Sequence, residues 1–369
     1  MIFNCIGLIV LLFIIAELLL RFVKYQRTGK WEIFALKLEK EKKYISYQSH
    51  TYIGYTKSKS VTNPKFPSNS DGFAGSNDIP ITRDNGLNTI RIVICGGSTV
   101  EQNDLDMESE FDPELTWPKA MEYNLNKADK EKTYEVMNAG CSGYTILEST
   151  IHLLTKCVPY KPDYAILYQG INDAWQVQTV PGFVADYTHA RRPPIFPSQR
   201  KRGILHFFPN IRLSYVYQYT LFYLNKLFEK PSALLPYISC HYNYEMAFDQ
   251  IQTTVRTYEE YLRSFCGIAL AHGITPILVP WLFERDLVHK LPNIINWDKE
   301  KFINLLEMNC NATRRVAKEI NEVLLFELPL IGKDGFRFPD WIHFSKVGLE
   351  KTGENAAFEF LKLHNSRVI

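Results

Sequence analysis

Beyond residue 89 the chain alternates short apolar runs with longer amphipathic stretches, a pattern typical of βαβ units around a parallel sheet. The predicted strands are Ile90–Cys95, Tyr134–Asn138, Tyr164–Tyr168, Thr275–Val279 and Val323–Phe326. The predicted helices lie near residues 117–127, 145–157, 246–271, 298–321 and 346–363. We therefore predict an α/β domain over residues 89–365, with its functional loops at the carboxyl ends of the strands.

Residues 174–245 interrupt this rhythm. The stretch is rich in proline and aromatic residues, and it is too long for a structureless loop inside a compact domain. We predict an inserted subdomain or lid there, with a helix near Arg212–Phe228. Its basic residues are expected to form a solvated face, with contact to anionic lipid or an acidic glycan as the minority interpretation. They are Arg191, Arg192, Arg200, Lys201 and Arg202.

The amino end carries a long apolar stretch. Ile2 to Leu20 is apolar apart from Asn4 and Glu17, and about 20 such residues span a bilayer as a helix. A cleaved signal peptide would have a basic n-region and a small-residue cleavage site, and the sequence shows neither. The pattern favours a retained, single-pass membrane anchor over residues 1–23.

Basic residues follow the apolar stretch, and such residues favour a cytoplasmic position for what comes next. They are Arg21, Lys24, Arg27 and Lys30. One helix before a large domain can insert in either direction, so the side of the membrane stays open. Residues 24–88 are predicted to be a juxtamembrane stalk and an irregular lead-in, because 56–88 is rich in Ser, Asn, Pro, Gly and Asp.

Composition narrows the classes of function. The 42 basic and 40 acidic residues nearly balance, so no nucleic-acid partner is expected. The seven cysteines are scattered, odd in number and without a CxxC pair, so no disulfide framework or zinc site is predicted. This usage favours a reducing compartment weakly. The sequence has no Walker or GxGxxG motif, so neither a metal nor a nucleotide cofactor is expected.

A candidate nucleophile follows the first predicted strand. Ser98 comes after Gly96 and Gly97, and two glycines permit a tight turn that projects the hydroxyl at the strand's end. Alone, this segment equally suits an anion-binding turn or a helix cap. A candidate base lies near the carboxyl end, where His343 follows Asp340 by three residues. At that spacing the carboxylate can hold one ring nitrogen and fix the tautomer.

Two further predicted strands end in turns that could donate hydrogen bonds to an oxyanion. Asn172 follows Gly170 after the third strand, and its side-chain amide is a donor. Gly143 follows the second strand and could offer its backbone N–H, with Gly140 as a competing candidate. Each feature is also ordinary turn chemistry. Their joint occurrence, each at a predicted strand end, predicts one hydrolytic site.

These segments resemble the SGNH, or GDSL-type, hydrolase family, whose name denotes Ser, Gly, Asn and His from four separated blocks. The four blocks here are Ile92–Thr99, Asn138–Thr145, Gln169–Asp173 and Asp340–His343. The serine block reads Gly-Gly-Ser-Thr in place of Gly-Asp-Ser. With the lead-in segments Tyr52–Tyr55 and Asn69–Phe73, it resembles bacterial, membrane-anchored members. The resemblance extends over about residues 91–362.

The resemblance implies a three-layer, flavodoxin-like α/β sandwich with a central parallel sheet of about five strands. It implies that Ser98 attacks an ester carbonyl, that His343 transfers the proton and that Asp340 orients His343. The N–H groups of Ser98 and Gly143 and the amide of Asn172 would form the oxyanion hole. No cofactor is implied, and the expected partner is an acylated glycan or lipid.

Three functions are compatible with this reading. The first is a serine esterase, an acylhydrolase that removes O-acyl groups from a glycan or lipid. The second is an O-acyltransferase that uses the same site with a sugar hydroxyl as acceptor. The third is a non-catalytic, membrane-tethered binding protein on a hydrolase scaffold.

Overall fold

The computed structural model describes the chain in separate stretches: residues 2–28, 46–61, 67–82, 88–102, 115–179, 183–188, 191, 216, 248–290, 299–337 and 340–368. The strands are β1 (Tyr47–His50), β2 (Gly54–Lys57), β3 (Thr89–Gly96), β4 (Thr133–Gly140), β5 (Tyr164–Gln169), β6 (Thr275–Pro280) and β7 (Leu324–Leu325). The helices are α1 (Ile2–Thr28), α2 (Ser98–Glu101), α3 (Trp117–Ala128), α4 (Ile146–His152), α5 (Ile171–Thr179), α6 (Phe248–Ala271), α7 (Arg285–Val288), α8 (Lys299–Glu319) and α9 (Lys346–Val368).

A five-stranded parallel sheet forms the centre of the domain, in the order β4-β3-β5-β6-β7. The five predicted strands are confirmed, and this order is that of a flavodoxin-like, doubly wound sheet. Gly96 pairs with Gly140 on one side and with Tyr168 on the other. Strands β3, β4 and β5 therefore end at the same level, which places the loops that follow them at one edge of the sheet.

Helices cover both faces of the sheet. α3 and α9 pack together on one face, whereas α4, α5, α6 and α8 contact one another on the other. Covering both faces explains why the central strands are continuous apolar runs without polar alternation. The residues Ile92–Cys95 of β3 are accordingly fully buried.

The predicted irregular lead-in contains an ordered hairpin. β1 and β2 pair antiparallel, and Gly54 just after the turn has a φ of 75°. The hairpin contributes to a second apolar cluster beside the main core. Its members are Tyr47, Ile53, Tyr55, Cys141 and Tyr144. Because Cys141 and Tyr144 lie in the loop after β4, the hairpin packs directly on a loop of the predicted site.

Residues Met1–Tyr44 and Ile195–Ala233 form a compact unit of their own. Its described part is the 27-residue helix α1 with Val216. Within it, the carboxylate of Glu17 pairs with Arg21 at 2.9 Å and accepts the backbone N–H of Val216 at 2.9 Å. Among the helices that the structure describes, none is both long enough and apolar enough to cross a membrane.

Helix α5 continues to Thr179 and so occupies the first residues of the predicted insertion at 174–245. Helix α6 begins at Phe248. Apart from Val216, the helix predicted near Arg212–Phe228 lies outside the described residues. The same holds for four of the five basic residues of this stretch, namely Arg192, Arg200, Lys201 and Arg202.

Candidate active site

Ser98 lies where β3 ends and the short helix α2 begins. Because α2 starts at Ser98, the N–H of Ser98 has no partner within the helix. The backbone of α2 lies against the end of β4, since a Cβ atom on Gly140 would come within 2.4 Å of the nitrogen of Glu101. Ser98 is half-buried between the buried residues Gly97 and Thr99. The turn thus brings its hydroxyl to the accessible edge of the sheet.

His343 lies within hydrogen-bonding reach of Ser98, although 245 positions separate them in sequence. Its Nε2 is 2.9 Å from Ser98 Oγ, and its Nδ1 is 3.0 Å from Asp340 Oδ2. The other carboxylate oxygen of Asp340 accepts the backbone N–H groups of Ile342 at 3.0 Å and His343 at 3.1 Å. The structure therefore brings the predicted nucleophile, base and orienting carboxylate together.

The Asp340 carboxylate is held in its charged form. Burial alone would raise its pKa, but the hydrogen bond and charge of His343 and the two backbone N–H groups outweigh burial and lower the pKa. A charged acceptor at this position keeps a proton on Nδ1 of His343. The Nε2 lone pair is then available to accept the proton of the Ser98 hydroxyl.

Backbone hydrogen bonds distinguish Gly143 from Gly140 as the candidate oxyanion donor. The N–H of Gly140 is committed, because it donates to Asn138 Oδ1 at 3.0 Å. The N–H of Gly143 has no acceptor in the part of the chain that the structure describes. Gly143 also has a φ of 79° and is half-buried. The geometry therefore favours Gly143, the glycine that the resemblance also implies.

Asn172 reaches the same edge from the first turn of α5. One amide hydrogen donates to the carbonyl of Tyr144 at 2.8 Å, which leaves the second for a ligand. A Cβ atom on Gly97 would come within 2.3 Å of Asn172 Nδ2. The absence of a side chain at Gly97 therefore allows the amide to lie against the serine turn.

Glu101, at the end of α2, is the centre of a buried polar cluster. Its carboxylate is 2.5 Å from Lys57 Nζ and accepts the hydroxyl of Tyr47 at 2.9 Å. It also accepts both the backbone N–H and the hydroxyl of Ser142 at 2.5 Å. A buried charge is tolerated only when it is paired and hydrogen-bonded in this way. The cluster ties the hairpin and the loop after β4 to the serine turn.

Gln102 joins the serine turn to the loop that carries His343. Its Oε1 accepts the N–H of Phe344 at 3.1 Å, and its Nε2 donates to the carbonyl of Phe344 at 2.5 Å. The side chain is buried, so water does not compete for these bonds. Because Phe344 adjoins His343, this two-way pairing fixes the position of the base relative to Ser98.

For Arg191, the one member of the basic cluster that the structure describes, the prediction of a solvated side chain is wrong. Its guanidinium is largely buried, with Nε 2.6 Å from Glu148 Oε1, and it donates to the carbonyl of Gly143 at 3.0 Å. Burial disfavours both charges, but their attraction lowers the pKa of Glu148 and raises that of Arg191. The sequence could not reveal this role, because the partner carboxylate is 43 positions away.

Asp173 of α5 also bonds the segment that follows β4. Its carboxylate accepts the N–H of Ile146 at 3.1 Å and Nε2 of Gln169 at 3.0 Å, and Gln169 also donates to the carbonyl of Tyr144 at 2.7 Å. Burial raises the pKa of Asp173 from 3.8 to about 7. Its contribution to stability is therefore complete below pH 3.8 and is lost as the pH rises through about 7.

Sequence reasoning identified the residues at the accessible edge and missed the buried ones that support them. The missed residues are Glu101, Gln102, Gln169 and Arg191. Glu101 and Gln102 carried a usable signal, since two polar residues directly follow the nucleophile turn. Within the described ranges no group of three or more side chains is arranged to bind a metal ion.

No family model and no curated protein sequence matches the chain. Among solved structures, the chain is similar to a lipase/acylhydrolase from Enterococcus faecalis, with 16% identity and a TM-score of 0.41 over 73% of this chain and 95% of that one. It is also similar to Axe2, an acetylxylan esterase from Geobacillus stearothermophilus, with 15% identity and a TM-score of 0.41 over 74% and 93%. A putative lipolytic protein of the G-D-S-L family from Desulfitobacterium hafniense gives 13% identity and a TM-score of 0.40 over 73% and 98%. Because these TM-scores are low, we infer function from the side-chain geometry alone.

Replacing Gly97 with alanine tests the close approach of Asn172. The new methyl group would occupy the space of Asn172 Nδ2, so we expect kcat for ester hydrolysis to fall about 10²–10³-fold, the usual cost of losing one oxyanion donor. Asn172→Ala should lose a similar factor. The double variant should lose little more, because both changes remove the same donor. Fully multiplicative losses in p-nitrophenyl ester assays would contradict this account.

Replacing Asp340 with asparagine tests the tautomer of His343. The amide oxygen would keep the N–H groups of Ile342 and His343, so the NH₂ group would face Nδ1. Nδ1 must then accept, Nε2 carries the proton, and the proton of Ser98 has no acceptor. We expect kcat at pH 7 to fall roughly 10⁴-fold. Asp340→Ala should lose less, because water can accept from Nδ1. Equal losses in the two variants would show that Asp340 acts through its charge alone, and a larger loss in Asp340→Ala would contradict the tautomer account.

Proposed function

We propose that this protein is a serine esterase, an acylhydrolase that removes O-acyl groups from a glycan or lipid. The observation that carries the proposal is the continuous hydrogen-bonded chain from Ser98 Oγ through the imidazole of His343 to the carboxylate of Asp340, with distances of 2.9 and 3.0 Å. Nucleophile, base and orienting group within such distances define a hydroxyl that can be activated for acyl transfer.

In the first half-reaction Ser98 Oγ attacks the ester carbonyl carbon while its proton passes to Nε2 of His343. The carbonyl oxygen becomes an oxyanion. The N–H groups of Ser98 and Gly143 and the amide of Asn172 are the proposed donors to it, because they adjoin the same turn. The tetrahedral intermediate then collapses. The C–O bond to the alcohol breaks, and the alcohol leaves with the proton from His343, which yields acyl-Ser98.

In the second half-reaction water takes the place of the alcohol. His343 removes a proton from the water, the hydroxide attacks the acyl carbon, and the oxyanion accepts the same hydrogen bonds. Collapse breaks the bond to Ser98 Oγ, which regains its proton from His343, and the free acid leaves. Asp340 remains charged throughout and stabilises the imidazolium that forms twice in each cycle.

Labelling with a fluorophosphonate tests the proposal. The reagent phosphonylates an activated serine, so it should label the wild type and fail on Ser98→Ala. Ser264→Ala is the matched control, because Ser264 lies on the exposed side of α6, where its hydroxyl bonds only the carbonyl of Glu260 one turn before. Equal labelling of wild type and Ser98→Ala would remove Ser98 from its proposed role.

Product analysis separates hydrolysis from acyl transfer. With an activated ester and a candidate sugar acceptor, we expect free acid as the main product. Preferential formation of acylated sugar would make the protein an O-acyltransferase with the same site. A series of p-nitrophenyl esters of rising chain length distinguishes the substrates, since a preference for acetate indicates a deacetylase and rising rates with length indicate a lipid.

We also propose that α1 attaches the protein to a membrane. The support is the apolar sequence Ile2–Leu20 together with the exposure of large apolar side chains on α1, such as Leu8 at 57% and Leu19 at 59%. The charge of Glu17 is offset by the ion pair with Arg21 one turn later. Such attachment would hold the esterase close to membrane-associated glycans or lipids.

Membrane fractionation of the full chain tests this attachment. We expect the full chain in the membrane fraction, and a variant lacking residues 2–23 in the soluble fraction with its esterase activity retained. Leu12→Arg, which places a charge within the apolar stretch at unchanged length, should weaken the association. Recovery of the full chain in the soluble fraction would contradict the proposal.

A further inference from the structure

Hydrogen bonds hold the backbone groups on both sides of the Gly143 N–H. The N–H of Ser142 is bound by Glu101, and the carbonyl of Gly143 accepts from Arg191. The carbonyl of Ser142, which shares its peptide plane with the N–H of Gly143, accepts the hydroxyl of Tyr55 at 2.7 Å. Within the described residues, the Gly143 N–H is thus the one backbone polar group of Ser142 and Gly143 left for a ligand.

We propose that Tyr55 of the amino-terminal hairpin is a positioning residue of the oxyanion hole. Its hydroxyl holds the plane of the Ser142–Gly143 peptide and thereby points the Gly143 N–H at the developing oxyanion. This inference rests on the proposed esterase function. It assigns a role in the reaction to a segment outside the parallel sheet, to which the resemblance gave no role.

Such a bond is needed because Gly143 does not hold the orientation of its own peptide. Gly143 has a φ of 79°, and a glycine can rotate its preceding peptide with little steric penalty. Rotation of that peptide by half a turn would direct the carbonyl of Ser142, instead of the N–H of Gly143, toward the oxyanion. The hydrogen bond from Tyr55 is lost in that rotation, so it opposes the inactive orientation.

The same bond also makes the N–H a stronger donor. A carbonyl that accepts a hydrogen bond withdraws electrons from the amide nitrogen of its peptide, and the effect is larger in a buried, low-dielectric site. Tyr55 is fully buried, and its ring packs edge-on against Tyr144 with centroids 5.3 Å apart. The hydroxyl is therefore fixed before substrate binds, which is the condition for electrostatic preorganisation.

Two tyrosine-to-phenylalanine changes separate this role from ordinary stabilisation. The hydroxyl of Tyr55 donates to the carbonyl of Ser142, whereas that of Tyr144 donates to the carbonyl of Tyr55, and both bonds measure 2.7 Å. Each change therefore removes one buried hydrogen bond between the hairpin and the loop after β4. Only Tyr55→Phe frees the oxyanion-hole peptide.

For Tyr55→Phe we expect kcat for a p-nitrophenyl ester to fall about 5- to 20-fold with KM nearly unchanged, because the interaction matters most in the transition state. The affinity for a trifluoromethyl ketone, whose adduct with Ser98 carries an oxyanion, should fall by a similar factor. Tyr144→Phe should lose comparable thermal stability with a much smaller fall in kcat and in ketone affinity.

Equal losses of kcat in the two variants, or an unchanged kcat in Tyr55→Phe, would overturn the role of Tyr55 while leaving the esterase intact. A wild type that neither hydrolyses the ester through Ser98 nor binds the ketone would overturn the proposed function itself, and this inference with it. The two failures are distinguishable because the wild type is measured in the same assays.

Discussion

The one-turn helix α2 and the residue after it form the constraint on which the site depends. Within this turn, Ser98 meets the base, Glu101 binds the loop after β4, and Gln102 pairs with the backbone beside His343. An isolated turn of helix is unstable in water, so its geometry must come from its surroundings. Two buried side chains supply it, since Trp117 donates to the carbonyl of Thr99 at 3.0 Å and Asn138 to that of Val100 at 2.9 Å.

The buried charges around this turn fix the position of the loop after β4 more than they stabilise the fold. A buried ion pair is often no more stable than well-packed apolar residues, because desolvation of both charges offsets their attraction. One member of each ion pair also bonds the loop after β4. Glu101, paired with Lys57, accepts the N–H of Ser142, and Arg191, paired with Glu148, donates to the carbonyl of Gly143. We infer that what they provide is one fixed arrangement of the loop. Removal of one partner would leave the other charge buried and unpaired.

The fold and the accessible part of the site were open to sequence reasoning for definite physical reasons. Buried parallel strands are continuous apolar runs, and glycines mark the turns after them, so β3 to β7 and Ser98, Asn172 and Gly143 could be located. Asp340 and His343 are only three residues apart, and this spacing alone predicts that the carboxylate contacts the imidazole. The bond between His343 and Ser98 was predicted from the rule that the carboxyl ends of parallel strands meet at one edge and from the resemblance of the four segments to the SGNH family.

The supporting residues could not be predicted because their partners are distant and their patterns are weak. The hairpin strands have four residues each, too few for a clear alternation, and so this segment looked like an irregular lead-in. Arg191 lies among other basic residues, and only its partner Glu148 distinguishes it from a solvated side chain. Burial, and not residue type, decides the role of such groups, and burial is a property of the whole fold.

A backbone oxyanion donor such as the one proposed at Gly143 meets conflicting requirements, which these supporting residues would reconcile. The N–H must project without a side chain in the way, which favours glycine, yet glycine is the residue that holds its peptide orientation least. Here the restraint comes from hydrogen bonds made by residues outside the loop, namely Asp173, Gln169, Glu101, Arg191 and Tyr55 of the hairpin. The orientation is therefore established by folding. Little reorganisation then remains for the reaction step, which is the condition under which hydrogen bonds to an oxyanion lower a barrier most.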